Sequence, residues 1–401
     1  MTEKTNISIK NIIIVYDYGF INGGAAKVAI NTAIKLSSNP NFNVFYFCGS
    51  GPICDNLTNS NVKCICVGEP DINNRGKVKT FFSGIFDHKV YKAFYSFLKD
   101  FSPLDTIIHI HGWNHSLSSS ILKASNKLHF KQVITLHDYF IACPNGGFLN
   151  YKTNQICKLR PLSSACIRCN CDKRSYVQKL WRVIRQKKQK KYLSQNENFI
   201  FLSKLSKSII MSNYPNAHYF YYPNEISRFK YISSGTTGKS SFLYMGRLSK
   251  EKGIKLFCEA ITKGNYEGIV VGDGELRKVL QTDYPNIQFT GWLDNVEIEK
   301  LLPKILALIF PSMWYEVSPL VIPEMLSANI PCIVSDCCAS KELIVNNQNG
   351  FIFKTGSIDS LLFAIKKVKS SPFNNTHNYV NEKNKSTANL IKIYEDCFLL
   401  Y

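Results

Sequence analysis

The chain has 401 residues, 45% of them apolar, with 49 Lys and Arg against 29 Asp and Glu, a net charge of +20. At about 100–200 residues per domain, this length predicts two domains, each able to bury a core. No uncharged apolar run reaches the ~18 residues that span a bilayer, and Met1–Asn6 lacks the apolar stretch of a signal peptide. The expectation is therefore a cytoplasmic protein whose excess positive charge meets an anionic ligand or surface.

In chain order, Ile12-Ile13-Ile14-Val15 reads as a buried strand. Gly23-Gly24 then opens a helix with apolar residues at Val28, Ala29, Ala33 and Leu36; read alone, the two glycines are a tight turn. Lys77 to Phe86 is basic and then aromatic. Two further strands, Ile107–Ile110 and Val133–Leu136, end in His111 and in His137-Asp138. His109 alternates with apolar neighbours and reads as a packed strand residue.

Five of the 14 cysteines fall at Cys143, Cys157, Cys166, Cys169 and Cys171, in an insert rich in Pro, Gly, Asn and Ser. With no export signal, reduced thiols are expected rather than disulfides. Cys166-Ile167-Arg168-Cys169 is a C-x2-C knuckle that Cys143 and Cys157 complete as a candidate structural zinc site. The plainer reading is a set of small buried apolar residues. The stretch Lys173–Tyr192 predicts one helix with Leu180, Trp181, Val183 and Ile184 among many cations. It is either a surface helix whose apolar stripe meets the core or a helix resting on anionic lipid headgroups. Charge alone also suits nucleic acid, but no recognised module supports that partner.

The first domain is expected at 1–222, with the Cys-rich insert at 143–171, and the second at 226–375. A linker falls near Tyr222–Glu225 and a flexible loop at Ser233–Gly238. In the second domain a strand, Phe242–Met245, ends at Gly246, and Arg247 and Lys252 follow on the loop. The planar Arg fork and the compact Lys charge together suit a diphosphate, and glycine lets the backbone approach closely. A second strand, Gly268–Val271, also ends in a glycine turn, at Gly272. Strand, glycine turn and helix in repetition predict a doubly wound sheet, with ligands at the carboxyl ends of its strands.

A third strand, Ile305–Phe310, runs into a polar turn that carries Glu316, with Glu324 inside the helix beyond. Eight helical residues rise about 12 Å, so these carboxylates do not act on one atom. They suit two parts of an extended, hydroxyl-rich ligand with a phosphate between them, which is the shape of a nucleotide sugar. Backbone N–H groups at Val317, Ser318 and Leu320 add donors for an anion.

The ordered motifs are Gly246-Arg247-x4-Lys252-Gly253, Val271-Gly272-Asp273-Gly274, Phe289-Thr290-Gly291 and Glu316-x7-Glu324. The run Ile333-Val334-Ser335-Asp336 to Asn349-Gly350-Phe351 completes them. In that order and spacing the chain resembles the retaining glycosyltransferases of family 4. The resemblance implies an α/β GT-B fold of two Rossmann-like doubly wound domains facing a central cleft. A C-terminal helix within 380–401 would pack back on the first domain. It implies transfer of a hexosyl group, with retention, from a nucleotide-sugar donor to a saccharide or lipid-linked saccharide acceptor. No catalytic metal is expected, and the chain lacks the Asp-x-Asp pair of metal-dependent relatives.

On this resemblance Arg247 and Lys252 neutralise the leaving diphosphate, Glu324 holds the ribose and Glu316 holds the donor sugar. His137 sits beside the transferred sugar, with His111 on the same acceptor side. Gly23 and Gly24 form the family's glycine loop, and Gly246 and Gly272 line the donor site. The setting implied is bacterial surface polysaccharide assembly, and the basic, aromatic stretches add the expectation of a peripheral place on the inner membrane face. Rival readings are a nucleotide-sugar epimerase of the same fold and a non-catalytic binding protein. Four positions depart from the family. Pro323 is expected to delay or bend the helix before Glu324, Asn329 stands where a glycine often ends it, and Cys337-Cys338 replace common glycines.

Overall fold

The computed structural model describes residues 9–193, 197–233, 238–370 and 386–400. Residues 1–6 of the expected non-signal N-terminus, 234–237 of the expected loop, and 371–385, which hold the expected end of the second domain, lie outside them. Fifteen strands are described: β1 (Asn11–Tyr18), β2 (Asn43–Ser50), β3 (Lys63–Cys66), β4 (Thr106–Ile110), β5 (Lys131–Thr135), β6 (Leu149–Asn150), β7 (Gln155–Ile156), β8 (Asn198–Phe201), β9 (His218–Tyr221), β10 (Ser241–Met245), β11 (Glu267–Val271), β12 (Gln288–Gly291), β13 (Ile305–Phe310), β14 (Cys332–Ser335) and β15 (Gly350–Phe353).

The chain divides into two units. One comprises Met1–Gly146, Leu159–Asn224 and Glu382–Tyr401; the other comprises Gly147–Lys158 and Glu225–Asn381. The expected Cys-rich insert is thus split, its middle counting with the second unit.

Each unit is built on a parallel sheet. The first runs β3-β2-β1-β4-β5-β8-β9 and the second β12-β11-β10-β13-β14-β15. In both, the order starts outward in one direction and then reverses, so the switch points lie between β1 and β4 and between β10 and β13. Open α/β sheets bind ligands outside the strand carboxyl ends at such points. The strands are apolar because both faces are covered: all six residues of β13 are buried. Alternation along β10 divides the second core in two. Phe242 and Tyr244 pack on one face with Phe257 and Ile261, and Leu243 on the other with Leu308 and Met325. The Ile254–Lys263 helix meets its face through Ile254, Phe257, Cys258 and Ile261, a 3.6-residue stripe.

In the first unit, the Thr387–Leu399 helix buries Leu390, Ile393, Tyr394 and Cys397. The Tyr394 hydroxyl lies 2.7 Å from His109 Nδ1, and Thr135 Oγ1 lies 2.7 Å from His109 Nε2. His109 is therefore a packed strand residue with both ring nitrogens bonded. Burial lowers its pKa to about 3, with His137 adding to the effect, so it stays neutral.

The basic Tyr176–Leu193 helix buries Trp181, Val183, Gln186, Gln189 and Leu193. Trp181 Nε1 donates to the Phe81 carbonyl at 2.9 Å, joining it to the Lys77–Ser83 helix. Ile184, which the sequence placed in the apolar stripe, is instead exposed. The inward positions hold glutamines that bond the backbone: Gln189 Nε2 donates to Phe140 O at 3.1 Å, and Gln186 Nε2 donates to Ile141 O.

The expected four-thiolate set divides between the units, with Cys143, Cys166 and Cys169 in the first and Cys157 in the second. Among the described residues, no three His, Cys, Asp or Glu side chains are placed to hold a metal ion. A buried lysine lies among the thiols of the first unit. Lys179 Nζ lies 3.6 Å from Cys166 Sγ, and the fields of Cys171, Cys166 and Cys143 raise its pKa against the opposing effect of burial.

Candidate functional site

The second unit assembles its site where β10, β11 and β13 end. Glycine turns stitch the strand ends together: Gly246 N donates to Val271 O at 3.0 Å and Gly272 N to Gly291 O at 2.7 Å. Gly272 has φ of 134°, and a Cβ there would lie 2.1 Å from Gly246 O. Gly253 is tighter still, with φ of 70° and Pro311 O 1.9 Å from where its Cβ would be. No other residue type fits either close approach without a shift of backbone.

This closeness brings Lys252 onto Glu316. Lys252 Nζ donates to Glu316 Oε1 at 2.7 Å, Ser312 Oγ donates to the same oxygen at 2.8 Å, and Trp314 Nε1 does so at 2.7 Å. The ammonium also lies 5.8 Å from the Phe310 ring centroid and 5.7 Å from that of Trp314. Burial alone would raise the Glu316 pKa. The charge of Lys252 and the three hydrogen bonds outweigh it, so the carboxyl ionises below its ordinary range.

Arg247 goes elsewhere. Its Nη2 donates to Glu251 Oε1 at 3.0 Å, and its side chain is 61% exposed while that of Glu251 is buried. Ser249 Oγ donates to the same Glu251 oxygen at 2.8 Å, and Met313 N donates to the Glu251 carbonyl at 2.8 Å. Glu251 thus ties the Arg247 loop to the Glu316 loop, a role the sequence did not reveal. Glu324 is buried on the Val321–Ser327 helix, where its Oε1 accepts from Ser227 N at 3.4 Å. Val317, Ser318 and Leu320 form the turn between Glu316 and that helix, with Val317 buried.

The departures noted in the sequence resolve simply. The helix starts at Val321, ahead of Pro323, so it is not delayed. Pro323 sits in the first turn, where an N–H has no intrahelical acceptor to lose. Asn329 takes φ of 55° just past the helix, the left-handed position that asparagine tolerates in place of glycine. Cys337 is buried beneath the site, its Sγ 3.2 Å from Trp314 O and 3.3 Å from Ser312 O.

One contributor comes from far upstream. The β6–β7 hairpin of the second unit lies against the residues before Glu316, with the Phe148 and Tyr315 ring centroids 6.3 Å apart. A Cβ on Gly147 would lie 2.3 Å from Trp314 Cε3. Gly147→Val should therefore push the indole off Glu316, costing about 1–3 kcal/mol of stability. Indole fluorescence and urea unfolding of the variant check this together.

In the first unit, Gly23 caps the Gly24–Ser37 helix with φ of 166°, extended backbone open to any residue. His111 is buried, and its Nδ1 shares a 2.9 Å hydrogen bond with His137 Nε2. Burial pulls the His137 pKa down to about 4 and lowers that of His111, with the neighbouring His109 and His137 adding to the latter. The pair is neutral at pH 7. His111 Nε2 is buried with no hydrogen-bond partner among the described residues.

Residues 228–387 match the family model described as glycosyl transferases group 1. Over 146 residues the chain is 32% identical to the UDP-Gal:alpha-D-GlcNAc-diphosphoundecaprenol alpha-1,3-galactosyltransferase of Escherichia coli. That alignment covers 32% of this chain and spans only 37% of the relative. In three dimensions the chain resembles sucrose-phosphate synthase of Thermosynechococcus elongatus, with a TM-score of 0.71, 15% identity and coverage of 98% and 100%. It also resembles Anabaena HepE in complex with UDP-glucose, with a TM-score of 0.63, 15% identity and coverage of 96% and 98%. At such identities these likenesses show the fold, which is GT-B.

Proposed function

Since the second unit carries most of the region matched to glycosyl transferases group 1 and the chain has the GT-B fold, we propose that this protein is a retaining hexosyltransferase using a nucleotide-sugar donor. The observation that carries this reading is the Lys252–Glu316 pair at the β10/β13 switch point. Glu316 Oε1 is saturated by three donors, which leaves Oε2 for hydroxyls of the donor sugar. Lys252 and the exposed fork of Arg247 supply positive charge as the diphosphate leaves. Glu324 takes the ribose hydroxyls. The neutral His111–His137 pair offers hydrogen bonds, not charge, to the sugar being moved.

Two similar proteins favour uridine: the Escherichia coli relative uses UDP-Gal, and HepE holds UDP-glucose. The acceptor of the same relative, a GlcNAc-diphosphoundecaprenol, supports a lipid-linked saccharide acceptor and a role in surface polysaccharide assembly. Thermal stabilisation across UDP-, GDP- and ADP-linked sugars tests the donor site. A selective shift, lost in Glu324→Ala and Arg247→Ala, is expected, and no shift with any nucleotide sugar would overturn it.

A lipid-linked acceptor calls for a membrane-facing surface. No described helix is long and apolar enough to cross a membrane. The joined Lys77–Ser83 and Tyr176–Leu193 helices instead expose Val78, Phe82, Val177 and Ile184 beside many lysines, a combination suited to anionic headgroups. Co-sedimentation with phosphatidylglycerol vesicles at low salt is expected. It should weaken as salt rises and fall sharply in Phe81→Ser/Phe82→Ser. Equal recovery of the variant would remove this face from the membrane.

A further inference from the structure

At the switch point of the first sheet, the Asp17 carboxylate at the end of β1 clamps the loop that follows β4. Oδ2 accepts from Asn114 N at 2.8 Å, and Oδ1 accepts from Ser116 N at 2.8 Å and Leu117 N at 2.9 Å. Ser116 Oγ also donates to the Asp17 carbonyl. The residue held between these clamped amides is His115, and its carbonyl accepts from Ile72 N at 2.9 Å. The loop is thus fixed on both sides of His115, whose side chain is 52% exposed.

The imidazole itself is oriented. His115 Nδ1 lies 3.2 Å from Asp71 Oδ2. Asp71 is in turn fixed by Asn73, whose backbone N and Nδ2 donate to Oδ1 at 2.6 and 2.8 Å, and by the Tyr18 hydroxyl, which donates to Oδ2. With Nδ1 committed to the carboxylate, Nε2 is the nitrogen left for a ligand. Aromatic rings line the same place. The Tyr18 ring is buried, with its centroid 5.8 Å from that of His115 and 5.4 Å from that of Phe20, and Phe20 is half-buried beside it. Burial opposes charge on His115, but the Asp71 hydrogen bond and the fields of Asp17 and Asp71 raise its pKa against the opposing charge of Arg185.

A half-exposed histidine has no structural need for this much fixing. Orientation of this kind serves a group that must meet a partner in one pose. We propose that His115 and Phe20 form the acceptor-saccharide subsite of the first unit. His115 Nε2 hydrogen-bonds an oxygen of the acceptor, either a sugar hydroxyl or a phosphate oxygen, and the Phe20 ring covers an apolar face of the sugar. The assignment rests on the transferase reading given above, and it adds residues that no motif of the chain marks.

The test uses the full chain labelled at histidine, with the His115 Cε1–H signal assigned by its loss in His115→Gln. The probes are N-acetylglucosamine 1-phosphate and the methyl glycoside of N-acetylglucosamine. Movement of the signal with both probes supports the subsite and identifies a hydroxyl as the partner. Movement with the phosphate alone supports it and identifies a phosphate oxygen, and binding should then strengthen as pH falls and His115 gains its proton. A signal still at saturating concentrations of both overturns the proposal.

In turnover with an N-acetylglucosaminyl diphospholipid, His115→Gln and Phe20→Ala should each raise the acceptor KM about tenfold. The donor KM and the donor-induced thermal shift should stay unchanged. Asp71→Asn, which keeps the side-chain shape, should give a smaller rise in the acceptor KM. Equal effects on donor and acceptor would mean a merely structural role and would also overturn the proposal. Because the histidine signal needs no nucleotide sugar, failure of the donor reading and failure of this one are read separately.

Discussion

Lys252→Ala should lower kcat by about 10²–10³-fold, the usual loss when one charge-stabilising donor is removed from a reacting centre. Lys252 acts twice in the proposed site, facing the leaving diphosphate and holding Glu316 ionised at 2.7 Å. Without it, the desolvation of Glu316 is opposed only by Ser312 and Trp314. The acid limb of the pH–rate profile should therefore move to higher pH in the variant. The sign for stability follows the same path. The wild-type carboxyl is depressed, so the pair contributes stability that is present above the unfolded value of about 4.3 and lost as pH falls through the folded value. Lys252→Arg should recover part of the rate by restoring charge. Profiles of kcat and kcat/KM for the three proteins check all of this, and an unchanged kcat in Lys252→Ala would take the residue out of the reaction.

Gly253→Ala should be among the most damaging small substitutions in the second unit, costing about 3–5 kcal/mol. The added Cβ would lie 1.9 Å from a backbone oxygen, Pro311 O, at a φ of 70°. Neither partner is a flexible side chain that can swing away, so strand β13 or the Ile254–Lys263 helix must move. The same shift separates Lys252 from Glu316, and donor binding should fall with stability. Gly23→Ala is the control: its φ of 166° is extended and nothing lies within 4 Å of the new Cβ, so stability should hardly change. Urea unfolding of the two variants distinguishes them, and equal midpoints would show that the β10–β13 approach is looser than described.

Much of the second unit was legible because its signals are local. Glycines at strand ends, apolar runs and the spacing of Arg247, Lys252, Glu316 and Glu324 are all read within one stretch of chain. What the spacing did not carry is which charge meets which. Arg247 pairs with Glu251 four residues on, while Lys252 crosses 64 residues to Glu316, because sheet order places β10 beside β13. Trp314 was in view as part of the motif, yet its hydrogen bond to Glu316 and the hairpin at Gly147 that backs it depend on tertiary placement.

The cysteine insert holds a partner that its spacing did not carry. Lys179, 13 residues beyond Cys166, meets its thiol from the next helix. Pro323 misled because a position in the first turn removes the penalty that proline carries elsewhere. His115 left no signal beyond its proximity to the β4 strand end, since Asp17 and Asp71 reach it from 98 and 44 residues away in sequence.

The most direct test is the anomeric configuration of the product. The protein would be incubated with UDP-galactose and an N-acetylglucosaminyl diphospholipid, with Lys252→Ala as control, and the new linkage read by the H1–H2 coupling in proton NMR. A retaining transferase gives an α-linked galactoside from this α-linked donor, and the Lys252→Ala control gives far less of it. A β-linked product would contradict the assignment of Glu316, Lys252 and Arg247 to a retaining donor site.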